Sequence, residues 1–252
     1  MSENIIIFGT NSIIAKNFIK KAKSLKSNLI TVSRSSKNKN DLFCNIGEFI
    51  SQKDINTVIS QIKKKIIYKK TILILFSWYG VPRMADKIED SWSVNMYIIQ
   101  NFINFAENLN PSLIIFLSSA GALYPENIQS YKFTENDLPI PYSSYGRQKL
   151  LSEKLLTYFA NIHNQDLTVL RISSGYGFDR RFSDQGVINK WLYSAINEKE
   201  LELYNSKDSQ INFISFDQIS KAIIICIKSE LNGIFNIGTE NSISLEEVIE
   251  EI

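Results

Sequence analysis

Histidine and cysteine are nearly missing from this chain: its 252 residues include one histidine, His163, and two cysteines, Cys44 and Cys226. A zinc site draws three or four imidazole, thiolate or carboxylate ligands together, so no metal is expected here. The cysteines lie far apart in apolar surroundings and read as reduced, structural residues of a cytoplasmic protein. His163 precedes Asn164 near the end of a predicted helix and reads as a surface residue. The Gly-x-Ser-x-Gly turn is absent, which argues against an α/β-hydrolase. Long apolar runs are absent too: Ile5 to Phe8, Ile72 to Phe76 and Ile223 to Ile227 are far too short for a membrane span or a leader core. Neither sign of charge dominates, with 28 Lys and Arg against 26 Asp and Glu and no charged tail. Nucleic acid and membrane surfaces are therefore not expected partners. The basic clusters Lys20 to Lys26 and Lys63 to Lys70 read as solvated helix faces and ends.

What the sequence does supply is a steady alternation. With 44% hydrophobic residues, an α/β chain of this length buries a large core without disulfides. Apolar runs at Asn4 to Phe8, Asn28 to Val32, Leu42 to Cys44, Ile72 to Phe76, Leu113 to Leu117 and Leu167 to Ile172 predict strands. Helical spacing covers about Ser12 to Ser24, Asp54 to Ile66, Ile88 to Asn108 and Ser144 to Ile162. Continuous apolar strands separated by amphipathic helices predict an α/β fold, a doubly wound parallel sheet. After Ile172 the rhythm loosens. Ser173 to Gln185 is rich in Gly, Ser and Asp, followed by a predicted helix near Val187 to Asn197. Short strands are expected at Leu201 to Leu203, Asn212 to Ser215 and Ile234 to Ile237, and a helix at Asp217 to Ser229. Ser244 is placed to cap a last helix with Glu247.

The run Gly9-Thr10-Asn11-Ser12-Ile13-Ile14-Ala15 follows the first strand and opens the first helix. A dinucleotide pyrophosphate rests at such a junction, on free backbone N–H groups and the positive helix end. Gly9 allows the tight turn; Ser12 and Ala15 stand where further glycines are usual and are small enough for close approach. The second strand ends Thr31-Val32-Ser33-Arg34-Ser35, without the acidic residue that accepts from the ribose hydroxyls of NAD. Arg34 between Ser33 and Ser35 suits a 2′-phosphate, so NADP(H) is expected, with NAD as the alternative.

Tyr145 and Lys149 stand four residues apart. On a helix both leave one face and their polar heads can meet a common ligand. A phenol is a poor base at neutral pH, and a neighbouring ammonium stabilises the phenolate. The pair suits taking a proton from a sugar hydroxyl or giving one to a ketone.

With the glycine turn and this pair in place, the chain resembles the extended short-chain dehydrogenase/reductase family, in its nucleotide-sugar epimerase, dehydratase and reductase branch. Leu117-Ser118-Ser119-Ala120-Gly121-Ala122-Leu123-Tyr124-Pro125 resembles that branch's serine-bearing strand end, and Thr134 to Pro141 its substrate loop. Ser93-Val94-Asn95 is similar to the segment whose asparagine supports the active-site helix. Leu170 to Gly177, Phe213 to Asp217 and Phe235 to Gly238 resemble later signatures. The resemblance implies a Rossmann core over residues 1–172 and a smaller, mainly substrate-binding lobe over 173–252, within one compact unit. It implies hydride transfer to or from a sugar carbon, with Tyr145 as general acid or base. Lys149 would lower the phenol pKa and bind the nicotinamide ribose. Ser119, or else Ser118, would hold the reacting oxygen, since Ala120 occupies the place of the usual serine or threonine. Asn45, Ser77, Asn95 and Ser174 join the expected cofactor contacts. Homodimers through the helices at Ile88 to Asn108 and Ser144 to Ile162 are also implied.

Departures from the family pattern bear on substrate. Ile211 and Asn212 stand where an Arg-Asp pair serves the diphosphate, and Phe76-Ser77-Trp78 replaces a run of small residues. The chain ends soon after Asn236, so a reduced substrate lobe is expected. Three readings follow: a 4-keto reductase of a nucleotide-activated sugar, a nucleotide-sugar 4-epimerase with retained NAD, and a silent NADP(H)-binding protein. Arg34 tilts the choice to the reductase, which consumes NADPH.

Overall fold

The computed structural model describes residues 2–35, 41–80, 91–125, 131–177, 186–203 and 206–252. Strands β1 (Asn4–Phe8), β2 (Asn28–Ser33), β3 (Leu42–Phe43), β4 (Thr71–Leu75), β5 (Leu113–Ser119), β6 (Asp166–Ile172) and β10 (Gly233–Ile237) form one seven-stranded sheet. Its order is β10-β6-β5-β4-β1-β2-β3, with every neighbouring pair parallel. β1 and β4 are buried along their whole length because helices cover both faces. Alternate residues serve the two sides. Ile6, Phe8, Leu73, Leu75, Ile114 and Phe116 pack against α2 (Gln52–Lys65), α3 (Ser91–Leu109) and α5 (Ser144–His163). Ile5, Ile7, Ile72, Ile74 and Ile115 pack against α1 (Ile13–Ala22) and α7 (Phe216–Ser229). The chain leaves β1 toward β2 on one side and returns through β4 on the other. This is the Rossmann arrangement, with its crevice at the carboxyl ends of β1 and β4.

Serine caps set the helix starts. Ser12, Ser51 and Ser143 accept from the backbone of Ala15, Asp54 and Gly146, and Ser215 closes a capping box with Gln218. Ser244 does the same with Glu247 at α8 (Leu245–Glu250), as the spacing predicts. Cys44 and Cys226 are buried free thiols, and His163 is exposed in the last turn of α5. Among the described residues no helix is long and apolar enough to cross a membrane.

Past Ile172 the chain divides its residues. β10 and α7 complete the main sheet and its cover, while α6 (Val187–Ile196) and α8 gather about Trp191, Phe213, Leu245 and Val248. Short pairs link β7 (Ser174–Tyr176) to β9 (Phe213–Ser215), and β8 (Gln210–Ile211) to β11 (Ile243–Ser244). The strand expected at Leu201 to Leu203 is irregular chain instead, with the Glu202 carbonyl accepting from the Trp191 indole at 2.9 Å. A side chain, not a strand neighbour, holds it. The Gly-, Ser- and Asp-rich stretch Ser173 to Gln185 contributes β7 and then passes outside the described residues, as do residues 88–90 of the helix expected from Ile88.

Candidate active site and cofactor cleft

Gly9 turns at φ +90°, a conformation open mainly to glycine, and a Cβ there would collide with the Ser77 backbone just past β4. The β1 turn and the β4 end thus close on each other at the crevice. The first-turn amides of α1 lack intrahelical partners by construction, and Ser12 Oγ serves that of Ala15. Ile13 buries its side chain as the first residue of α1. Asn11 Nδ2 donates to Ser33 Oγ (3.0 Å) and Ser35 Oγ (2.8 Å), drawing the hydroxyls at the β2 end around the turn. Arg34 is exposed between them. Thr10 and Thr31 both donate to Asp41, at 3.1 and 2.6 Å. That carboxylate escaped the sequence reading because it arrives from just before β3 rather than from the end of β2. Asn45 Oδ1 accepts from Gly47 N at 3.3 Å and shapes the turn after β3.

On α5, Gly146 explains how Tyr145 reaches the sheet edge: any side chain at 146 would strike the Ala122 carbonyl in α4 (Ala120–Leu123) and crowd Pro141. The helix therefore seats directly on the segment that follows Ser119. Asn95, expected at the cofactor, is buried and fully engaged. Its Oδ1 accepts from Tyr79 N (2.9 Å), and its Nδ2 donates to the Tyr79 carbonyl (3.1 Å) and to Gln148 Oε1 (2.7 Å). Gln148 Nε2 donates in turn to Ser91 and Ser144. Asn95 ties the chain after β4 to α5, and that is a positioning role.

Lys149 Nζ donates to the Leu117 carbonyl at 2.8 Å and lies 3.8 Å over the Trp78 ring and 5.8 Å from the centre of the Tyr145 ring. Trp78 also meets Tyr145 edge-on, with centroids 6.3 Å apart. Burial lowers the Lys149 pKa to about 7, against a smaller upward pull from Glu153. The lowering expected from Lys149 is not the leading influence on the Tyr145 phenol: burial raises its pKa.

The two serines separate clearly. Ser118 Oγ is buried and bonded to Glu153 Oε1, inside a cluster in which Arg171 grips the same carboxylate. Ser119, the last residue of β5, is partly exposed and makes no cap bond to α4. Ser119 is thus the hydroxyl at the open edge. Ser174 is exposed in β7, its N–H donating to the Asn212 carbonyl at 3.0 Å.

Among the described residues, four buried side-chain polar atoms lack partners, three of them Trp78 Nε1, Ser173 Oγ and Asn189 Nδ2. They follow β4, follow β6 and sit in the first turn of α6. Buried polar groups are rarely left unsatisfied, so each of these atoms is a candidate for a partner from outside the chain. A nicotinamide dinucleotide fits the residues at the β1 and β2 ends: Gly9 to Ile13 for the pyrophosphate, and Ser33, Arg34 and Ser35 for the adenosine end. The Lys149 amine, expected at the nicotinamide ribose, is taken up by the Leu117 carbonyl and the Trp78 ring. Trp78, Glu153, Asp41 and Asn189 carry no motif of their own. Of these, the sequence signalled Trp78 alone, through Phe76-Ser77-Trp78 standing in place of small residues after β4.

A family model described as the NAD dependent epimerase/dehydratase family matches residues 5–238. The dTDP-4-dehydro-6-deoxyglucose reductase of Escherichia coli is 31% identical over 186 residues, 73% of this chain and 58% of that protein. The dTDP-L-rhamnose 4-epimerase of Burkholderia thailandensis is 26% identical over 42% of this chain and 31% of its own length. Each match spans less than two thirds of the relative. Among solved structures, the Thermus thermophilus UDP-glucose 4-epimerase complex with NAD superposes with a TM-score of 0.83 at 16% identity, covering 98% of this chain and 81% of that one. The Bacillus anthracis dTDP-glucose 4,6-dehydratase in complex with NAD gives 0.80 at 17%, covering 99% and 79%. At such identities the likeness is one of fold.

Proposed function

This chain belongs to the NAD dependent epimerase/dehydratase family, and from that footing we propose that it is an NAD(P)-dependent oxidoreductase acting on a nucleotide-activated sugar. The reaction is reduction of a 4-keto group. One observation carries this reading: Tyr145 stands on a helix seated against the segment that follows Ser119, its ring meeting Trp78 edge-on. A ketone being reduced needs a proton donor at its oxygen, and a phenol carries its proton at neutral pH. The 31% identity to a protein named as a 4-keto sugar reductase supports the same direction.

The bound dinucleotide supplies hydride at nicotinamide C4. Ser119 donates a hydrogen bond to the keto oxygen and keeps it near the phenol. Tyr145 Oη passes its proton to that oxygen as the carbon gains hydride. Lys149 then stabilises the phenolate until solvent returns the proton, and Glu153, one turn on, favours the charged lysine. Ser118, held by Glu153, keeps the end of β5 fixed.

We assign NADP(H) as the cofactor, because Arg34 and the Asn11–Ser33–Ser35 cluster offer a cation and neutral donors to a 2′-phosphate. NAD is the second reading, favoured by the Asp41 carboxylate beside Thr10. A homodimer is also proposed: Leu151, Leu155, Tyr158 and Ile162 leave an exposed apolar stripe along α5, with Trp92 and Tyr97 exposed on α3. Sedimentation at micromolar concentration tests it, and a monomer would refute it. Cytoplasmic placement is a further proposal, in keeping with two buried free thiols, and is tested by fractionation of cells.

The deciding experiment supplies 4-keto and 4-hydroxy nucleotide sugars with NADPH or NADH and follows absorbance of the reduced nicotinamide. Net oxidation with a 4-keto sugar is expected. Interconversion of sugars without net oxidation would make the protein a 4-epimerase, and dinucleotide binding with no turnover would make it a silent binding protein.

A further inference from the structure

The chain between α4 and α5 runs from Tyr124, five residues after Ser119, to Ser143, two before Tyr145, so the placement of residues 131–141 within it bears on both. Three residues anchor it. The Ile140 N–H donates to the Leu123 carbonyl at 2.8 Å. Asn236 of β10 donates through Nδ2 to the Phe133 carbonyl (3.3 Å) and through its N–H to Glu135 Oε1 (2.6 Å). Tyr124 stacks on Phe133, with centroids 4.8 Å and planes 9° apart, and points its hydroxyl at the Thr134 carbonyl and Asn236 Oδ1, both at 3.1 Å.

The same hydroxyl accepts from Arg171 Nη1 at 2.8 Å. Arg171 in turn holds Glu153 of α5 in an ion pair at 2.8 Å, with side chains only 4% and 3% exposed. Such a buried pair adds little stability over apolar residues of equal volume, so fixed geometry is the better account of it. The phenolic oxygen of Tyr124 is where that rigid pair meets the 131–141 segment.

We propose that Tyr124 is a positioning residue for the sugar substrate: its hydroxyl carries the register of the Glu153–Arg171 pair out to residues 131–141, setting where that segment lies beside Ser119 and Tyr145. The effect falls on the sugar and not on the dinucleotide, because the partners of Tyr124 belong to β6, β10 and the segment itself, and none to the β1 turn.

Tyr124→Phe keeps the stacked ring and removes the hydroxyl. With NADPH and dTDP-4-dehydro-6-deoxyglucose, KM for the sugar should rise about tenfold, with kcat within about twofold and the Kd for NADPH unchanged. A tenfold change is about 1.4 kcal/mol, the size of one hydrogen bond to a charged group. This arm rests on the nucleotide-sugar reading. A second arm does not: hydrogen exchange at the amides of Thr134, Asp137 and Ile140 should quicken about tenfold while α5 keeps its rates. Asn236→Ala, which removes one of the three partners of the hydroxyl together with the bond to the Phe133 carbonyl, should repeat that pattern. Unchanged exchange at all three amides overturns the proposal whether or not the sugar reacts. Faster exchange with an inert sugar upholds the positioning and sinks the substrate class. Faster exchange throughout the molecule, or weaker NADPH binding in step with KM, would make Tyr124 a general stabiliser and overturn it.

Discussion

The ammonium of Lys149 rests on the face of the Trp78 indole, 3.8 Å from its centre, and is anchored by the Leu117 carbonyl at 2.8 Å. A cation on an aromatic face gains electrostatic attraction, but here burial costs more, and the Lys149 pKa falls to about 7.

That shift has a thermodynamic sign. Unfolded, Lys149 keeps its proton to about pH 10.4; folded, it releases it near pH 7, so between those values the unfolded chain binds more protons. Stability of the cofactor-free protein should therefore rise with pH through this window, by at most about 1.4 kcal/mol per pH unit from this group. Tyr145, with its pKa raised, works against stability only above the ordinary phenol range. Denaturant titrations from pH 7 to 9 on wild type and Lys149→Met check it. The variant should lose this part of the slope, and identical slopes would contradict the assigned shift.

Tyr145→Phe removes the proton donor while leaving the aromatic contact with Trp78 in place. Turnover should drop about 10²- to 10⁴-fold, with dinucleotide affinity within about twofold. Retained turnover would take Tyr145 out of the mechanism.

The cofactor edge holds charges of both signs, and two substitutions separate them. Arg34→Ala should weaken NADPH at least tenfold more than NADH if it meets a 2′-phosphate. Asp41→Asn should favour NADPH further by removing a nearby negative charge, though Thr10 and Thr31 lose their ionised partner. Calorimetric titration with both dinucleotides decides it, and equal losses with Arg34→Ala would refute the 2′-phosphate assignment.

Ser119 and Ser118 should part company when each becomes alanine. Ser119→Ala is expected to lower kcat by about tenfold to a thousandfold with stability nearly unchanged. Ser118→Ala leaves the buried Glu153 carboxylate one donor short and should cost about 1–3 kcal/mol, with a smaller effect on kcat. Thermal melts and steady-state rates on the pair test this, and the reverse pattern would exchange their roles.

Much of the fold was legible because its causes are local. Runs such as Ile5 to Phe8 and Ile72 to Phe76 are apolar without alternation and suit only a sheet covered on both faces. Serine caps and the Gly9 turn are readable for the same reason, as side chain and backbone satisfy each other within a few residues. The strand expected at Leu201 to Leu203 failed because the hydrogen-bond partner of its Glu202 carbonyl is the Trp191 indole, eleven residues earlier in the chain.

The sequence by itself determined the doubly wound sheet, the glycine turn at its crevice, and a tyrosine and lysine on one helix face. Each of those depends on residues within one or two turns of one another. Only the tertiary structure decided that Ser118 faces inward to Glu153, that Asn95 braces α5, that Asp41 returns a carboxylate to the β1 turn, and that Trp78 covers Lys149. Those outcomes turn on groups brought together from distant parts of the chain and on how much water their meeting excludes. Neither quantity is written in local spacing.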